Sequence, residues 1–286
     1  MGDLTNQWVD DMAYQNSSDG ALNYFPCRYG KSKLLFRGPK KDLQDDYIAF
    51  VGGTETYGKF VETPFPDLVG EGMNMTSINL GCVNAGTDVF LTDETVLNVC
   101  KHAKATVLQI SGAQNMSNRF YVVHPRRNDR FLRASTLLKT IYRETDFTDF
   151  NFTRHLVTTL ENESAEKFAM VRQELKDAWV ARMKTMIQKM PPNLVLLWVS
   201  DHSPDESETC GNTHGDPLFV DREMIEQIRP LVKSVVEVVA SQDEIEQGYN
   251  LMSYSDLDAL SAREMLGPVV QAKVADALKS VLTRIV

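Results

Sequence analysis

The stretch Tyr47-Ile48-Ala49-Phe50-Val51, running into Gly52-Gly53-Thr54-Glu55-Thr56-Tyr57-Gly58, decides the fold. β-Branched and aromatic residues that end in paired glycines read as a buried strand entering a sharp turn. The same rhythm returns at Thr76-Ser77-Ile78-Asn79-Leu80-Gly81 and at Ala105-Thr106-Val107-Leu108-Gln109-Ile110-Ser111-Gly112. Open parallel sheets bind ligands beyond the carboxyl ends of their strands. Three such ends in succession therefore predict a site along one rim.

Helical patterns separate the strands. Residues 67–71 read as a short helix and 87–101 as one crossover helix, with Val89, Phe90, Val96 and Leu97 toward the sheet. Residues 113–163 are the least regular part, an insertion rich in Asn, Arg, Asp and aromatic residues. Ser164 then caps a long helix whose apolar face includes Phe168, Val171, Leu175 and Trp179, and Pro191-Pro192 stops it. Residues 194–199 form a fourth strand ending at Ser200-Asp201-His202, and 234–239 a fifth. Helices over 221–232 and 262–285 flank that last strand. Right-handed crossovers then give an α/β fold: a three-layer α/β/α sandwich on a five-stranded parallel sheet of flavodoxin-like order 2-1-3-4-5. Residues 1–45 are expected to be an N-terminal extension packed on the core, and 46–286 a single domain.

Composition narrows the class. A length of 286 residues supports a full core, and a net charge of −9 argues against nucleic acid and anionic membranes as partners. No apolar run is long enough to span a membrane, and the start lacks a signal-peptide pattern, which points to the cytoplasm. Cys27, Cys82, Cys100 and Cys210 are scattered without metal spacing, so neither a disulfide framework nor a metal site is expected. No nucleotide fingerprint is present and no cofactor is expected. Homo-oligomerisation stays open.

The order of these pieces resembles the SGNH (GDSL-like) hydrolase superfamily. Its GDSxxxG turn after strand one is answered by Gly52, Gly53, Thr54 and Gly58. Its Asn-x-Gly block is matched by Asn79-Leu80-Gly81, with Asn84-Ala85-Gly86 beyond, and its Gly-x-Asn-Asp by Gly112-Ala113-Gln114-Asn115. The Asp-x-x-His block should lie within 241–268, a segment that holds Asp256 and Asp258 but no histidine. The chain also looks like an uncharacterised bacterial family bearing GGTETYG and HPRRNDRF segments.

That resemblance implies an esterase site in which Thr54 replaces the nucleophilic serine. Gly53, Gly81, Asn84, Gln114 and Asn115 would line the pocket and hold the oxyanion. His202 is the first candidate for a displaced general base, ahead of His214 and His124. The plainer alternatives are that Thr54 caps a helix and that His202 is a hydrogen-bonded loop residue. His124-Pro125-Arg126-Arg127-Asn128-Asp129-Arg130-Phe131-Leu132-Arg133 concentrates four arginines in an acidic protein. With His124, Arg126, Arg127 and Arg130 would grip an anionic group, unless they serve salt bridges to acids such as Asp129, Glu144 and Asp146. The expected function is an ester hydrolase of the acyl-ester class, acting on a small-molecule or glycan-like ligand with an anionic group. A catalytically inactive binding or regulatory protein is the alternative, and a sulfo- or acyltransferase a third.

Overall fold

The computed structural model describes residues 22–206 and 215–286. Strands β1 (Tyr47–Gly52), β2 (Thr76–Gly81), β3 (Ala105–Gln109), β6 (Leu194–Ser200) and β7 (Ser234–Val239) form one sheet in the order β2-β1-β3-β6-β7, parallel throughout. Counted within the sheet this is 2-1-3-4-5. The three central strands are buried because both faces of the sheet carry helices, and their sequences are accordingly almost wholly apolar.

Successive side chains of a strand point to opposite faces, and the core divides accordingly. Ala49, Val51, Leu108, Leu196 and Trp198 face the helices Glu94–His102, Ala165–Lys189 and Arg222–Ile228. Ile48, Phe50, Val107, Val195 and Leu197 face Phe65–Met73 and the C-terminal helix Pro268–Leu282. Each of the Val, Leu, Ile and Phe side chains contributes about 1.5–3 kcal/mol by leaving water.

Three expectations need correction. The crossover after β2 is two helices, Thr87–Leu91 and Glu94–His102, because the Asp93 carboxylate caps the second by accepting from Thr95 N–H and Val96 N–H, both at 3.0 Å. The closing helix is also broken, into Ala259–Arg263 and Pro268–Leu282. A Cβ on Gly267 would stand 2.5 Å from the Gly248 carbonyl carbon, and Pro268 opens the second helix. The span 113–163 carries regular structure: an antiparallel hairpin, β4 (Tyr121–His124) and β5 (Arg127–Ala134), then helices Thr136–Ile141 and Thr153–Glu163. Ser164 caps the long helix as expected, its hydroxyl accepting from Lys167 N–H. Of the N-terminal extension, Tyr29, Leu34 and Phe36 join the core; its first 21 residues lie outside the described ones.

Candidate functional site

The turn after β1 is held by a residue the sequence pattern did not single out. Gln109, the last residue of β3, offers its side-chain oxygen to Gly53 N–H (3.0 Å), Thr56 N–H (3.1 Å) and the Thr56 hydroxyl (2.6 Å). Gly52 is required there, since a Cβ would lie 2.2 Å from Thr56 Oγ1. A glutamine ending an otherwise apolar strand was the available signal.

Thr54 opens the short helix Thr54–Tyr57, but Gly53 occupies the cap position and no side chain caps it. The N-cap reading of Thr54 is therefore corrected. Its hydroxyl turns to the loop after β2, accepting from Asn84 N–H (3.0 Å) and donating to Asn84 Oδ1 (3.2 Å). Asn84 reaches it in a left-handed conformation (φ 56°), which asparagine tolerates better than most residues. Two rim loops are thus pinned at Thr54.

Gly81 contributes differently from what its motif implies. Its N–H already donates to Asn79 Oδ1 (2.9 Å), while Asn79 Nδ2 donates to the Thr56 carbonyl (2.8 Å). The Asn-x-Gly block therefore braces the helix Thr54–Tyr57, and the Gly81 N–H is not available to an oxyanion. A Cβ there would sit 2.3 Å from Tyr57 N.

The end of β3 closes on the same rim. A Cβ on Gly86 would lie 1.9 Å from the Asn115 carbonyl oxygen, so the loops after β2 and β3 touch. Asn115 Oδ1 accepts from the Thr153 hydroxyl (2.6 Å), and no described residue accepts from its amide N–H groups. Gln114 is buried and donates from Nε2 to Asp216 Oδ1 (3.2 Å), while Arg154 pairs with Asp216 Oδ2 at 2.9 Å. The Gln114 side-chain oxygen Oε1 has no hydrogen-bond partner among the described residues, while the backbone carbonyl accepts from the Tyr121 hydroxyl at 2.7 Å.

No hydrogen bond joins His202 to Thr54. Its Nδ1 lies 2.7 Å from Asp201 Oδ1 and 2.8 Å from the Ser200 hydroxyl. Its ring meets Trp198 edge-on, at 5.6 Å and 89°. The imidazole bond holds the Asp201 carboxyl below its ordinary range. These contacts are those of a hydrogen-bonded loop histidine. His214 lies outside the described residues.

The arginine-rich segment is the β4–β5 hairpin. Asn128, fully buried, docks it: Oδ1 accepts from Val89 N–H (3.1 Å) in the helix that starts at the rim, and Nδ2 donates to the His124 carbonyl (3.0 Å). Arg126 and Arg127 are exposed at the turn, and His124 Nδ1 accepts from Arg126 N–H (3.2 Å). The Arg130 guanidinium stacks over Phe152, 4.2 Å from the ring centroid. None of these three arginines forms a salt bridge with a described residue, so the salt-bridge reading is corrected. Asp146 instead binds Thr148.

Sequence reasoning also passed over Glu55. Its carboxylate accepts from Leu266 N–H and from Gln271 Nε2 (3.4 Å), the residues that lead into and begin the C-terminal helix. Desolvation, reinforced by the charge of Asp216, pushes its carboxyl from 4.5 up to about 8. An acidic residue directly beside the candidate nucleophile was the signal.

Residues 12–286 match the profile of the domain of unknown function DUF6473. The chain belongs to that family. A search of the curated proteins finds no match to this DUF6473 chain. Five solved chains are similar to it. One is a carbohydrate esterase family 2 enzyme with a carbohydrate-binding domain from Corynascus thermopiles (Myceliophthora fergusii), 12% identical with a TM-score of 0.40, over 87% of this chain and 68% of that one. Another is a gut microbial diltiazem-metabolizing enzyme, 12% identical with a TM-score of 0.36, over 86% of this chain and 48% of that one. Among the described residues no helix is long and apolar enough to cross a membrane, and no three His, Cys, Asp or Glu side chains cluster to hold a metal.

Proposed function

We propose that this DUF6473 chain is an ester hydrolase of the acyl-ester class, acting at the carboxyl rim of its sheet on a small or glycan-like ester. The observation that carries the reading is the meeting of three strand ends: Thr54 bonded to Asn84, with Asn115 packed on Gly86 beside them. In this reading Thr54, Asn84 and Asn115 flank the substrate site. The Asn115 amide is the donor left for an oxyanion, since its oxygen is taken by Thr153. Arg126 and Arg127, free of ion pairs and docked beside the rim through Asn128, suit an anionic group on the substrate.

A second reading is a binding module on a hydrolase scaffold. The observation favouring it is that Thr54 has a backbone and an amide as partners, and no imidazole. A threonine hydroxyl without a base is a poor nucleophile. Hydrolysis of aryl acetates and acetylated sugars, compared between wild type and Asn115→Ala, decides between them. Turnover that falls by ~10²-fold in the variant supports the hydrolase, whereas saturable binding of the same sugars without turnover supports the module.

A further inference from the structure

Resting on the hydrolase reading, we infer that Glu55 is the proton-transferring catalytic residue of the rim, acting on the attacking water in the role a histidine would otherwise fill. Several observations converge on it. Glu55 follows Thr54 directly at the carboxyl end of β1. Its side chain is oriented by Leu266 N–H, just before the C-terminal helix, and by Gln271 Nε2, in that helix's first turn; the segment 241–268 leading to it has no histidine to offer. Gln271 is itself locked: it is 2% exposed, its Oε1 accepts from Phe65 N–H at 2.7 Å, and its Nε2 also donates to the Glu55 carbonyl at 3.0 Å. A carboxylate held by neutral donors, with no cation paired to it, is not serving as half of a salt bridge.

The surroundings also make it a competent base. The charged group that acts on Glu55 is Asp216, from the loop after β6, which is itself bound by Arg154 and Gln114. The C-terminal helix and the Leu266 segment present neutral donors only. An ordinary carboxylate is too weak a base for this work near neutrality, and catalysis favours a group that titrates near the working pH. With its carboxyl at about 8, Glu55 stands where an imidazole would otherwise be needed.

The step balances without a co-reactant. The Glu55 carboxylate takes a proton from water as the water oxygen adds to the acyl carbon, and the oxyanion so formed faces the Asn115 amide. The tetrahedral intermediate then collapses, the ester C–O bond breaks, and protonated Glu55 returns its proton to the leaving alkoxide. Carboxylic acid and alcohol are released. Thr54, whose hydroxyl is committed to Asn84, acts as a positioning residue in this scheme.

The test pairs kinetics with a direct titration. Phenyl acetate and an acetylated glucose are hydrolysed from about pH 6 to about pH 10 by wild type and by Glu55→Gln. Carbon-13 resonances of the glutamate δ carbons are followed over the same range. The expected result is kcat/KM rising through about pH 8 in wild type, a loss of ~10²–10⁴-fold in the variant together with that rise, and one carboxyl titrating near 8 that vanishes in Glu55→Gln. Glutamine keeps an oxygen for Leu266 and Gln271, so a purely structural role would leave the pH profile in place. Turnover that survives Glu55→Gln, a Glu55 carboxyl titrating near 4.5, or an acyl-threonine adduct at Thr54 found by mass spectrometry overturns the assignment and leaves the hydrolase reading standing. No turnover by wild type at any pH overturns the hydrolase reading itself, and this inference with it.

Discussion

Glu55→Gln should make the protein more stable at alkaline pH, and the size of the effect follows from the carboxyl's surroundings. In the folded chain the carboxyl sits at about 8, against 4.5 for the free group. Because the folded value lies above the unfolded one, the contribution of this group to stability is complete below about pH 4.5 and is lost as pH rises through about 8. At ~1.4 kcal/mol per tenfold change in proton affinity, the whole loss is bounded by ~5 kcal/mol. Glu55 is partly open to solvent, which reduces the figure to roughly 2–3 kcal/mol. Glutamine has no charge to desolvate and keeps an acceptor for Leu266 N–H and Gln271. Thermal and urea melts of both proteins at several pH values between about 5 and 9 should therefore coincide at the acid end and diverge upward. The variant should finish roughly 5–10 °C more stable, at ~2–4 °C per kcal/mol for a chain of this size. Titrating groups that do not feel the Glu55 charge cancel in the comparison, Asp216 being the exception. Parallel stability curves, or a variant weaker than wild type at alkaline pH, would refute the reasoning. A substitution that stabilises the fold while abolishing turnover is the trade expected of a strained functional carboxyl.

Other sites make sharper structural demands. Gly81→Ala places a methyl 2.3 Å from Tyr57 N, against the Thr56–Tyr57 backbone, and should cost about 3 kcal/mol in urea unfolding; a loss under about 1 kcal/mol would mean the β2 end moves freely. Asn128→Ala strips Val89 N–H and the His124 carbonyl of their buried partner and should lower stability by about 2–3 kcal/mol, read as a drop in Tm. Arg126→Ala with Arg127→Ala should leave the unliganded Tm within about 1 °C, since neither side chain is ion-paired. The same pair should remove stabilisation by sulfate or phosphate at matched ionic strength, and identical anion shifts in both proteins would take these arginines out of the site.

The topology was legible in the chain because its signals are local. Strand-then-glycine units at 47–58, 76–81 and 105–112, alternating with helical periodicity, leave few arrangements once crossovers must be right-handed. Long helices were read too far where a single side chain or a close approach interrupts them. Asp93 cuts the crossover helix by capping its own neighbours, and Gly267 cuts the last helix because Gly248, distant in sequence, lies against it. The hairpin at 121–134 was missed because register shifts between Val122 and His124 and the irregular burial of β5 blur the alternation, although Tyr121, Val123, Phe131 and Ala134 join the main core.

At the rim, strand pattern alone reveals which residues arrive, because a residue at or just past the end of a parallel strand is delivered to the carboxyl edge by the topology. Thr54, Gly81, Asn84 and Asn115 are in that set. What each one does there depends on contacts made by folding. The Gly81 N–H is consumed by Asn79, Thr54 is turned to Asn84, and His202 is held by its own turn and Trp198. Glu55, which looks like any surface acid in the sequence, is desolvated by the walls that Gln271, Leu266 and Asp216 bring from positions up to 216 residues away. Hydrogen-bond partnership and desolvation are properties of what surrounds a group, and those surroundings exist only after the chain has folded.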